Sequence, residues 1–370
     1  MARIAFVVLL VIHGLVHGIG VARAFGLTRP APPTLVPSRA EGLLWLVAGL
    51  SFLLAAGLVS TRARGFLGVA AVGVVLSEIA IVLAFRDAWA GTIPNAIVAV
   101  VIVLAAVGAS RQSLRQAYDQ EVRRGMARPA PASVVTEADV ARLPAPLQTY
   151  LRRVGVVGRP RVRSYRMWFD AKMRLSPDGP WMKLAVEQTS FTDEPTRLFY
   201  GTTEMYGLPV EVLHRYVGSR ATMLVRVAGL VDVADASGPK MNQSETVTLF
   251  NDLCVMAPAA LVDADVTWSV RDERHVAGTF RNAGNEISAE LTFDAAGDLV
   301  GFVSNDRYES RDGKTYSNHP WSTPLGPYRD YHGYRLSSHG TAIWKVPAGD
   351  FVYGEFEILD VVYGANGAPS

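Results

Sequence analysis

Four apolar stretches occupy the first 110 residues, and a long polar region with strand-like alternation follows them. Each stretch has close to the roughly 20 residues that an α-helix needs to cross the hydrocarbon core of a bilayer. In lipid, a helix is the open-chain structure that satisfies its own backbone hydrogen bonds. The pattern therefore predicts an N-terminal four-helix transmembrane unit, with spans at Ile4–Ala22, Leu43–Val59, Phe66–Phe85 and Ile93–Ala109.

Arginines are distributed unequally about these stretches. Residues 1–128 carry a net charge of +7, and the remainder carries −5. Seven arginines flank the spans on the side of the N-terminus and four on the other side, which predicts a multi-pass plasma-membrane protein with its soluble region in the cytoplasm. Ala22-Arg23-Ala24 has the form of a signal cleavage site, but the three later spans favour an uncleaved helix.

The segment between the two regions combines a basic helix with a Pro-rich linker. Leu114, Tyr118 and Val122 fall at helical spacing among arginines that would meet acidic headgroups, and prolines follow. The predicted domains are a transmembrane domain at 1–110, a juxtamembrane helix and linker at 111–135, and a soluble β-rich domain at 136–370.

From Val162 onward, apolar positions recur with a period of two, which is typical of strands with one apolar face turned away from water, called the dry face below. About ten such strands have short connections, so the soluble domain is predicted to be mainly antiparallel β. One helix, Ser244–Met256, is inserted among them. A sheet of this size is expected to curve, giving a half-barrel or a sandwich.

The dry face has two interpretations. Met167, Phe169 and Met173 either close into a core or line a concave apolar pocket for a lipid or other apolar ligand. Asp252 on the inserted helix and Trp321 in the long segment Ser317–Gly333 would lie near the mouth of such a pocket.

A polar cluster follows the strand predicted at Leu299–Glu309. Alternation places Asp306 and Tyr308 on one face, which suits a headgroup-binding or proton-transfer role and equally a strand end that emerges into solvent.

Three polar side chains interrupt the predicted spans. His13 and His17 are four residues apart, and therefore on one face of a helix, where they can ligate a metal or haem iron or make interhelical hydrogen bonds. Glu78 in the third span is costly in lipid unless it is protonated, paired or facing water, and either histidine could be its partner.

The sequence contains no recognisable catalytic signature, so we leave enzymatic activity open and lean against it. The single cysteine, Cys254, excludes an intrachain disulfide framework and fits buried packing. We predict no cofactor and no nucleic-acid partner, since the soluble region is acidic. Membrane lipids are the expected partners, and the oligomeric state is left open.

Six segments of the chain carry a resemblance to a known family. They are Ile12–Gly18, Asp87–Asn95, Leu143–Leu151, Thr248–Asp252, Asp306–Tyr308 and Trp321–Pro324. These segments resemble one bacterial family of four-span membrane proteins whose soluble C-terminal domain has no known function. The resemblance covers nearly the whole chain and implies an architecture without a mechanism. The soluble domain is also similar, by strand pattern, to the half-barrels of lipoprotein carriers such as LolA and LppX.

Three functional hypotheses follow. The first is a membrane-anchored module that binds a lipid or other apolar ligand in the half-barrel. The second is a membrane redox or proton-handling protein that uses His13, His17 and Glu78. The third is a hydrolase at the membrane surface that uses Asp306 and Tyr308, for which no activated nucleophile is visible.

Overall fold

The computed structural model describes residues 2–28, 36–61, 63, 65–108, 113–128, 133–205, 208–310 and 313–364. The chain divides into two compact units, Met1–Ser110 and Arg111–Ser370.

The N-terminal unit consists of helices that are long and apolar enough to cross a membrane. Glycines allow the first two to pack closely, because a Cβ added at Gly14 would lie 2.9 Å from the carbonyl oxygen of Gly49. The helices are α1 (Ala2–Ala24), α2 (Arg39–Ser60), α3 (Phe66–Leu83), the short α4 (Phe85–Ala88), a 3₁₀ turn (Trp89–Gly91) and α5 (Thr92–Gly108).

The helices of the C-terminal unit are short, except for the inserted one. Thr136 caps the second of them in a capping box with Asp139, and Gly155 ends the third in the left-handed conformation with φ 86°. The inserted helix begins five residues before the predicted Ser244, because Pro239 fits its first turn. The helices are α6 (Leu114–Met126), α7 (Glu137–Val140), α8 (Ala145–Val154) and α9 (Pro239–Met256), with a 3₁₀ turn at Pro258–Val262.

Strands make up most of the rest of this unit. They are β1 (Ser164–Met173), β2 (Met182–Phe191), β3 (Thr196–Met205), β4 (Leu208–Val217), β5 (Arg220–Val227), β6 (Val231–Ser237), β7 (Val266–Val270), β8 (His275–Asn282), β9 (Asn285–Phe293), β10 (Leu299–Ser304), β11 (Tyr308–Glu309), β12 (Ser317–Asn318), β13 (Trp321–Pro324), β14 (Tyr328–Tyr331), β15 (Tyr334–Ser337), β16 (His339–Val346) and β17 (Gly349–Tyr363).

Thirteen of these strands form one antiparallel sheet, in the order β6-β5-β4-β3-β2-β1-β17-β16-β13-β10-β9-β8-β7. The first six strands are a continuous meander, and the C-terminal strand β17 joins them to the second half of the sheet. Two further pairs, β11-β12 and β14-β15, lie outside it. The predicted antiparallel β domain with one inserted helix is therefore confirmed.

The sheet curls strongly about α9. Asn282 of β8 donates a hydrogen bond of 2.8 Å to the hydroxyl of Tyr216 in β4, although these strands belong to opposite halves of the sheet order. Tyr216 in turn is hydrogen-bonded to Thr246 of α9 at 2.8 Å. Contacts of this kind require the two edges of the sheet to approach each other, which makes the domain a half-barrel with a helix inside it.

The concave face of the sheet is a packed core. Phe250 of α9 stacks on Phe280 at a ring-centroid distance of 5.1 Å, and meets Trp268 and Phe302 at 5.9 and 5.7 Å. Cys254 is completely buried on the same helix, as predicted. Of the two interpretations of the dry face, the structure favours a core, since α9 fills the concavity.

The basic helix α6 belongs to the C-terminal unit and packs on the outer face of the sheet. Leu114 and Tyr118 are buried there against Leu198 and Leu213. Its Arg115 pairs with Glu187 of β2 at 2.7 Å, so that arginine meets a protein carboxylate and not the headgroups that we expected. The sequence pattern predicts a separate juxtamembrane segment for this helix. The spacing of its apolar residues shows which face of the helix is apolar but not which surface that face packs against.

Strand predictions failed where strands are short or edge-exposed. Strand β6 was not predicted, because its side chains are mostly exposed and the alternation is weak. The strand expected at Leu299–Glu309 ends at Ser304. The long irregular segment Ser317–Gly333 contains three short strands, two of them of only four residues, which carry too little period to be recognised.

Candidate binding cleft and buried polar clusters

An open cleft of about 950 Å³ lies on strands β1, β2, β3 and β17, a volume within the range of small-molecule sites. Exposed side chains that alternate away from the core, such as Lys172, Ala185 and Thr202, form part of its lining. The residues that line it are Asp170, Ala171, Lys172, Trp181, Met182, Lys183, Leu184, Ala185, Thr202, Thr203, Glu204, Pro209, His339, Glu355, Phe356 and Glu357.

Charge in the cleft is only partly paired. Lys172 pairs with Glu355 at 3.3 Å, and His339 lies 3.5 Å from Glu357. Lys183 has no carboxylate within ion-pair distance in the described part of the chain. The lining also carries Asp170 and Glu204, so four carboxylates face two lysines. The cleft therefore combines apolar surface with both signs of charge, an arrangement that suits an amphiphile with a zwitterionic head.

The predicted ligand-binding face lies beside this cleft. Met167 and Phe169 are buried in the core, and Met173 packs against it partly exposed. The ring of Phe169 contacts that of Phe356 in an edge-on arrangement at 6.2 Å, and Phe356 lines the cleft. Two of the three predicted residues thus support the cleft from behind and are not accessible to solvent.

A buried charge cluster connects α9 to the sheet. Asp252 accepts hydrogen bonds of 2.7 Å from Arg197 Nε and from the Gln188 side-chain amide. Two turns earlier on the same face of α9, Glu245 accepts from Arg197 Nη1 at 3.3 Å and lies 3.5 Å from His214 Nδ1. Glu245 and Asp252 are 1% and 2% exposed, so a single buried arginine bridges two buried carboxylates.

The two carboxyls respond differently to burial. Burial opposes the ionisation of Glu245, but His214 and Arg197 outweigh it and lower the pKa of Glu245 to about 2. For Asp252 burial dominates over the attraction of Arg197, and its pKa is raised above the ordinary value. Perturbation in opposite directions within one cluster is common at functional sites, and it also occurs in structural networks.

The other predicted site residues in this unit lie apart from Asp252. Asp306 follows the end of β10, where a carboxylate oxygen accepts the backbone N–H of Ser288 at 2.6 Å. Tyr308 begins β11, and its backbone N–H donates to Ser244. Trp321 is buried and donates to the hydroxyl of Tyr353 at 3.0 Å.

Within the N-terminal unit, a hydrogen-bond network connects α1, α3 and α5. Asn95 is its centre: it accepts from His13 Nε2 at 2.7 Å and donates to Ser77 at 2.8 Å and to Glu78 at 2.9 Å. Ser77 Oγ also lies 2.9 Å from His17 Nε2. Glu78 was expected to pair with a histidine, and the structure instead places Asn95 between them.

The hydrogen-bond partners assign the tautomers. His17 Nδ1 lies 2.7 Å from the carbonyl oxygen of His13, so it carries a proton and leaves Nε2 to accept from Ser77. His13 must donate from Nε2 to the Asn95 oxygen. Three of the four ring nitrogens are therefore committed to protein partners. Among the described residues, no group of three or more His, Cys, Asp or Glu side chains converges on a metal-sized site.

Sequence reasoning missed Arg197, Glu245, Lys183 and Asn95. Glu245 and Asp252 are seven residues apart on one helix, a spacing that places them on one face and could have indicated a pair. Asn95 follows Pro94 near the start of a span, where an amide is unusual. Arg197 and Lys183 each alternate within a strand like any solvent-facing base, so no local signal distinguishes them.

The fold and these sites define a class of protein: four helices that are able to span a membrane, followed by an antiparallel half-barrel wrapped around one helix. A model of a family of unknown function, DUF6544, matches residues 133–356. The chain belongs to this family. No curated protein matches the sequence.

Two solved structures are similar to the chain. A putative outer membrane lipoprotein-sorting protein domain from Vibrio parahaemolyticus is 10% identical, with a TM-score of 0.33 over 56% of this chain and 88% of that one. A LolA superfamily protein from Nitrosomonas europaea is 8% identical, with a TM-score of 0.34 over 64% and 96%. The similarity to lipoprotein carriers that the strand pattern predicted is found again here, at low TM-scores.

Proposed function

We propose that this protein is a multi-pass membrane protein whose C-terminal unit binds a lipid or other apolar ligand in the cleft on β1, β2, β3 and β17. The cleft itself carries the proposal, because its volume of about 950 Å³ suits an amphiphile and α9 fills the alternative site inside the half-barrel. The four N-terminal helices would hold the unit at the plasma membrane, on its cytoplasmic side by the arginine distribution.

The apolar chain and the headgroup of the ligand would contact different residues of the cleft. Met182 and Phe356 are partly buried and offer apolar contact for a chain, and Trp181 is exposed at the rim. Lys183 provides a cation for the anionic part of a headgroup at no loss of an existing ion pair, and Asp170 and Glu204 provide carboxylates for its cationic part. Neutral apolar ligands would contact only the apolar side chains Met182, Phe356 and Trp181, and are expected to bind more weakly.

The experiment is native mass spectrometry and lipid extraction of the full-length protein in detergent, comparing Thr202→Trp with Ser288→Trp. Thr202 is exposed within the cleft lining, whereas Ser288 is exposed on β9 away from it, so both variants add the same bulk to a strand surface. We expect the Thr202 variant to lose about tenfold in ligand occupancy, equivalent to roughly 1.4 kcal/mol. Equal ligand content in both variants would refute cleft binding.

A second candidate function is proton handling in the membrane, favoured by the network around Asn95. The network contains two imidazoles and ends at Glu78, which is partly exposed and accepts from Thr92 at 3.3 Å. Proteoliposomes with a pH-sensitive dye inside would test it. Proton flux that is equal in wild type and Glu78→Gln would leave interhelical packing as the role of the network.

A further inference from the structure

The hairpin tips at one end of the meander β1–β6 are apolar. Because the strands are antiparallel, the β1–β2, β3–β4 and β5–β6 turns all lie at the same end, and the β2–β3 and β4–β5 turns lie at the other. At the first end Leu175, Leu230 and Val231 are 61%, 53% and 59% exposed, and Leu208 is 44% exposed. A contiguous group of exposed large apolar side chains is unusual unless a partner covers it, whereas isolated ones are common.

The opposite end serves as an internal comparison. Its β2–β3 turn is Thr192-Asp193-Glu194-Pro195, and its β4–β5 turn contains Gly218 and Ser219. Val217 is the one large exposed apolar residue at these two turns, both of which the structure describes. Within the meander, exposed large apolar side chains are therefore more numerous at one end than at the other. Elsewhere in the sheet, Val270 of β7 and Leu359 of β17 are each 55% exposed.

The apolar tips are neighbours in space. The backbone N–H of Ala228 donates to the carbonyl of Pro209 at 2.7 Å, which joins the β5–β6 tip to the β3–β4 tip. Pro209 and Trp181 both line the cleft, which places the β1–β2 tip next to them. Arg174 lies over the Trp181 ring at 4.7 Å and donates to the carbonyl of Val352, so this aromatic ring is held in place.

The chain enters the C-terminal unit from the direction of these tips. Arg115, near the start of α6, pairs with Glu187 in the middle of β2, while Arg128, just beyond its end, pairs with Asp193 and Glu194 at the polar end. The N-terminus of α6 therefore points toward the apolar end. In the sequence, four residues connect Gly108 of α5 to Ser113.

We propose that this apolar rim, formed by Leu175, Trp181, Leu208, Leu230 and Val231, docks onto the surface of the phospholipid bilayer. Tryptophan and short apolar tips are typical of protein surfaces at the headgroup level. The inference rests on the proposed membrane anchorage, and it deepens the binding proposal: a docked rim would open the cleft toward the lipid that it takes up.

The test uses the full-length protein in nanodiscs of phosphatidylcholine and phosphatidylglycerol that contain spin-labelled lipid. An environment-sensitive fluorophore is attached to Leu230→Cys or, as the matched control, to Val217→Cys at the polar end. The two sites are separated by most of a strand length, about 30 Å. The native Cys254 is fully buried and its thiol pKa is raised by burial, so it does not compete for the label.

We expect several-fold stronger quenching by spin-labelled lipid at position 230 than at position 217. Introducing Leu175→Asp and Val231→Asp should reduce the quenching at 230 to the level of the control. Equal quenching at the two positions would overturn the proposal. A fluorescence change that instead follows protein concentration in detergent, with no lipid quenching, would assign the rim to a second copy of the chain and equally overturn it.

Failure of docking and failure of ligand binding are separable. Ligand content is measured in detergent, where no bilayer is present, and docking is measured by quenching in nanodiscs. If spin-labelled lipid quenches the fluorophore on the rim but the cleft contains no ligand, the binding proposal alone is refuted. A loaded cleft with an unquenched rim would refute docking alone.

Discussion

Arg197 is the residue on which the attachment of α9 to the sheet most depends, and Arg197→Met tests this directly. The substitution keeps most of the side-chain volume but removes the charge that bridges Asp252 at 2.7 Å and Glu245 at 3.3 Å. Two carboxylates with side chains 2–3% exposed would remain without their shared counter-charge. Breaking a buried ion pair in this way destabilises a protein by about 3–5 kcal/mol.

The assay is thermal unfolding of the full-length protein in detergent, followed by intrinsic fluorescence. Five of the seven tryptophans lie in the C-terminal unit, so the signal reports mainly on its unfolding. For a unit of this size, each kcal/mol corresponds to about 2–4 °C, and we expect Tm to fall by roughly 6–20 °C. The matched control is Arg152→Met, which breaks an exposed pair with Glu137 and should change Tm by no more than about 4 °C.

The pH dependence of Tm tests the role of the buried charges more directly than a Tm measured at one pH. In the wild type the pKa of Glu245 is about 2, below its ordinary 4.5, so its contribution to stability is present above pH 4.5 and is lost as the pH falls toward 2. In the variant, both buried carboxyls are expected to have raised pKa values. The variant should therefore gain stability as the pH falls from 7 to 4, and the difference in Tm between the variant and the wild type should become smaller.

Two outcomes would refute this reasoning. One is a Tm at pH 7 within about 2 °C of the wild type, which would mean that the carboxylates tolerate the loss of Arg197. The other is a difference in Tm that does not change with pH, which would attribute the effect to packing. The triple variant with Glu245→Gln and Asp252→Asn should recover much of the lost stability, because neutral groups replace all three charges.

Four smaller predictions follow from single contacts. Phe250→Ala should destabilise the C-terminal unit by about 3–5 kcal/mol in thermal unfolding, because this ring fills the half-barrel. Gly125→Ala should lower Tm, since its Cβ would lie 2.1 Å from the Phe191 ring, and a bulky residue there should prevent α6 from docking. Asp298→Asn should reduce the acid sensitivity of unfolding between pH 4 and 2, because it removes one of the carboxyls responsible. Burial raises the pKa of Asp298, but Arg335 and Arg153 outweigh burial and lower this pKa to about 2. Asn95→Leu should weaken the N-terminal unit by about 1–2 kcal/mol in detergent unfolding, because it removes the three hydrogen bonds that join α1, α3 and α5.

The hydrophobic pattern predicted the secondary structure well where it was long and regular. The four apolar helices and the beginning of the strand-rich region were located to within a few residues, because burial of one continuous face imposes a period that is visible in the sequence. Strand β6 and the short strands of 317–331 were missed, since two to four paired residues do not establish a period.

The candidate sites were predictable only in part. His13, His17 and Glu78 were identified because polar side chains are rare in apolar helices, and the structure joins them through Asn95, which the sequence did not single out. Asp252 was identified without its partner Arg197, which is 55 residues away on β3. The packing of α9 on the sheet brings these two residues together, and neither local segment of the sequence indicates that they are in contact.

The sequence by itself determined the division into an apolar helical unit and an antiparallel β unit with one inserted helix, because each follows from local periodicity. The tertiary structure alone decided three matters: that α9 fills the concave face, that α6 covers the outer face, and that the apolar hairpin tips collect at one end. Each depends on which surfaces meet when the sheet curls. A two-residue hydrophobic period in the sequence indicates that a strand has one apolar side, whereas only the assembled sheet shows what covers that side.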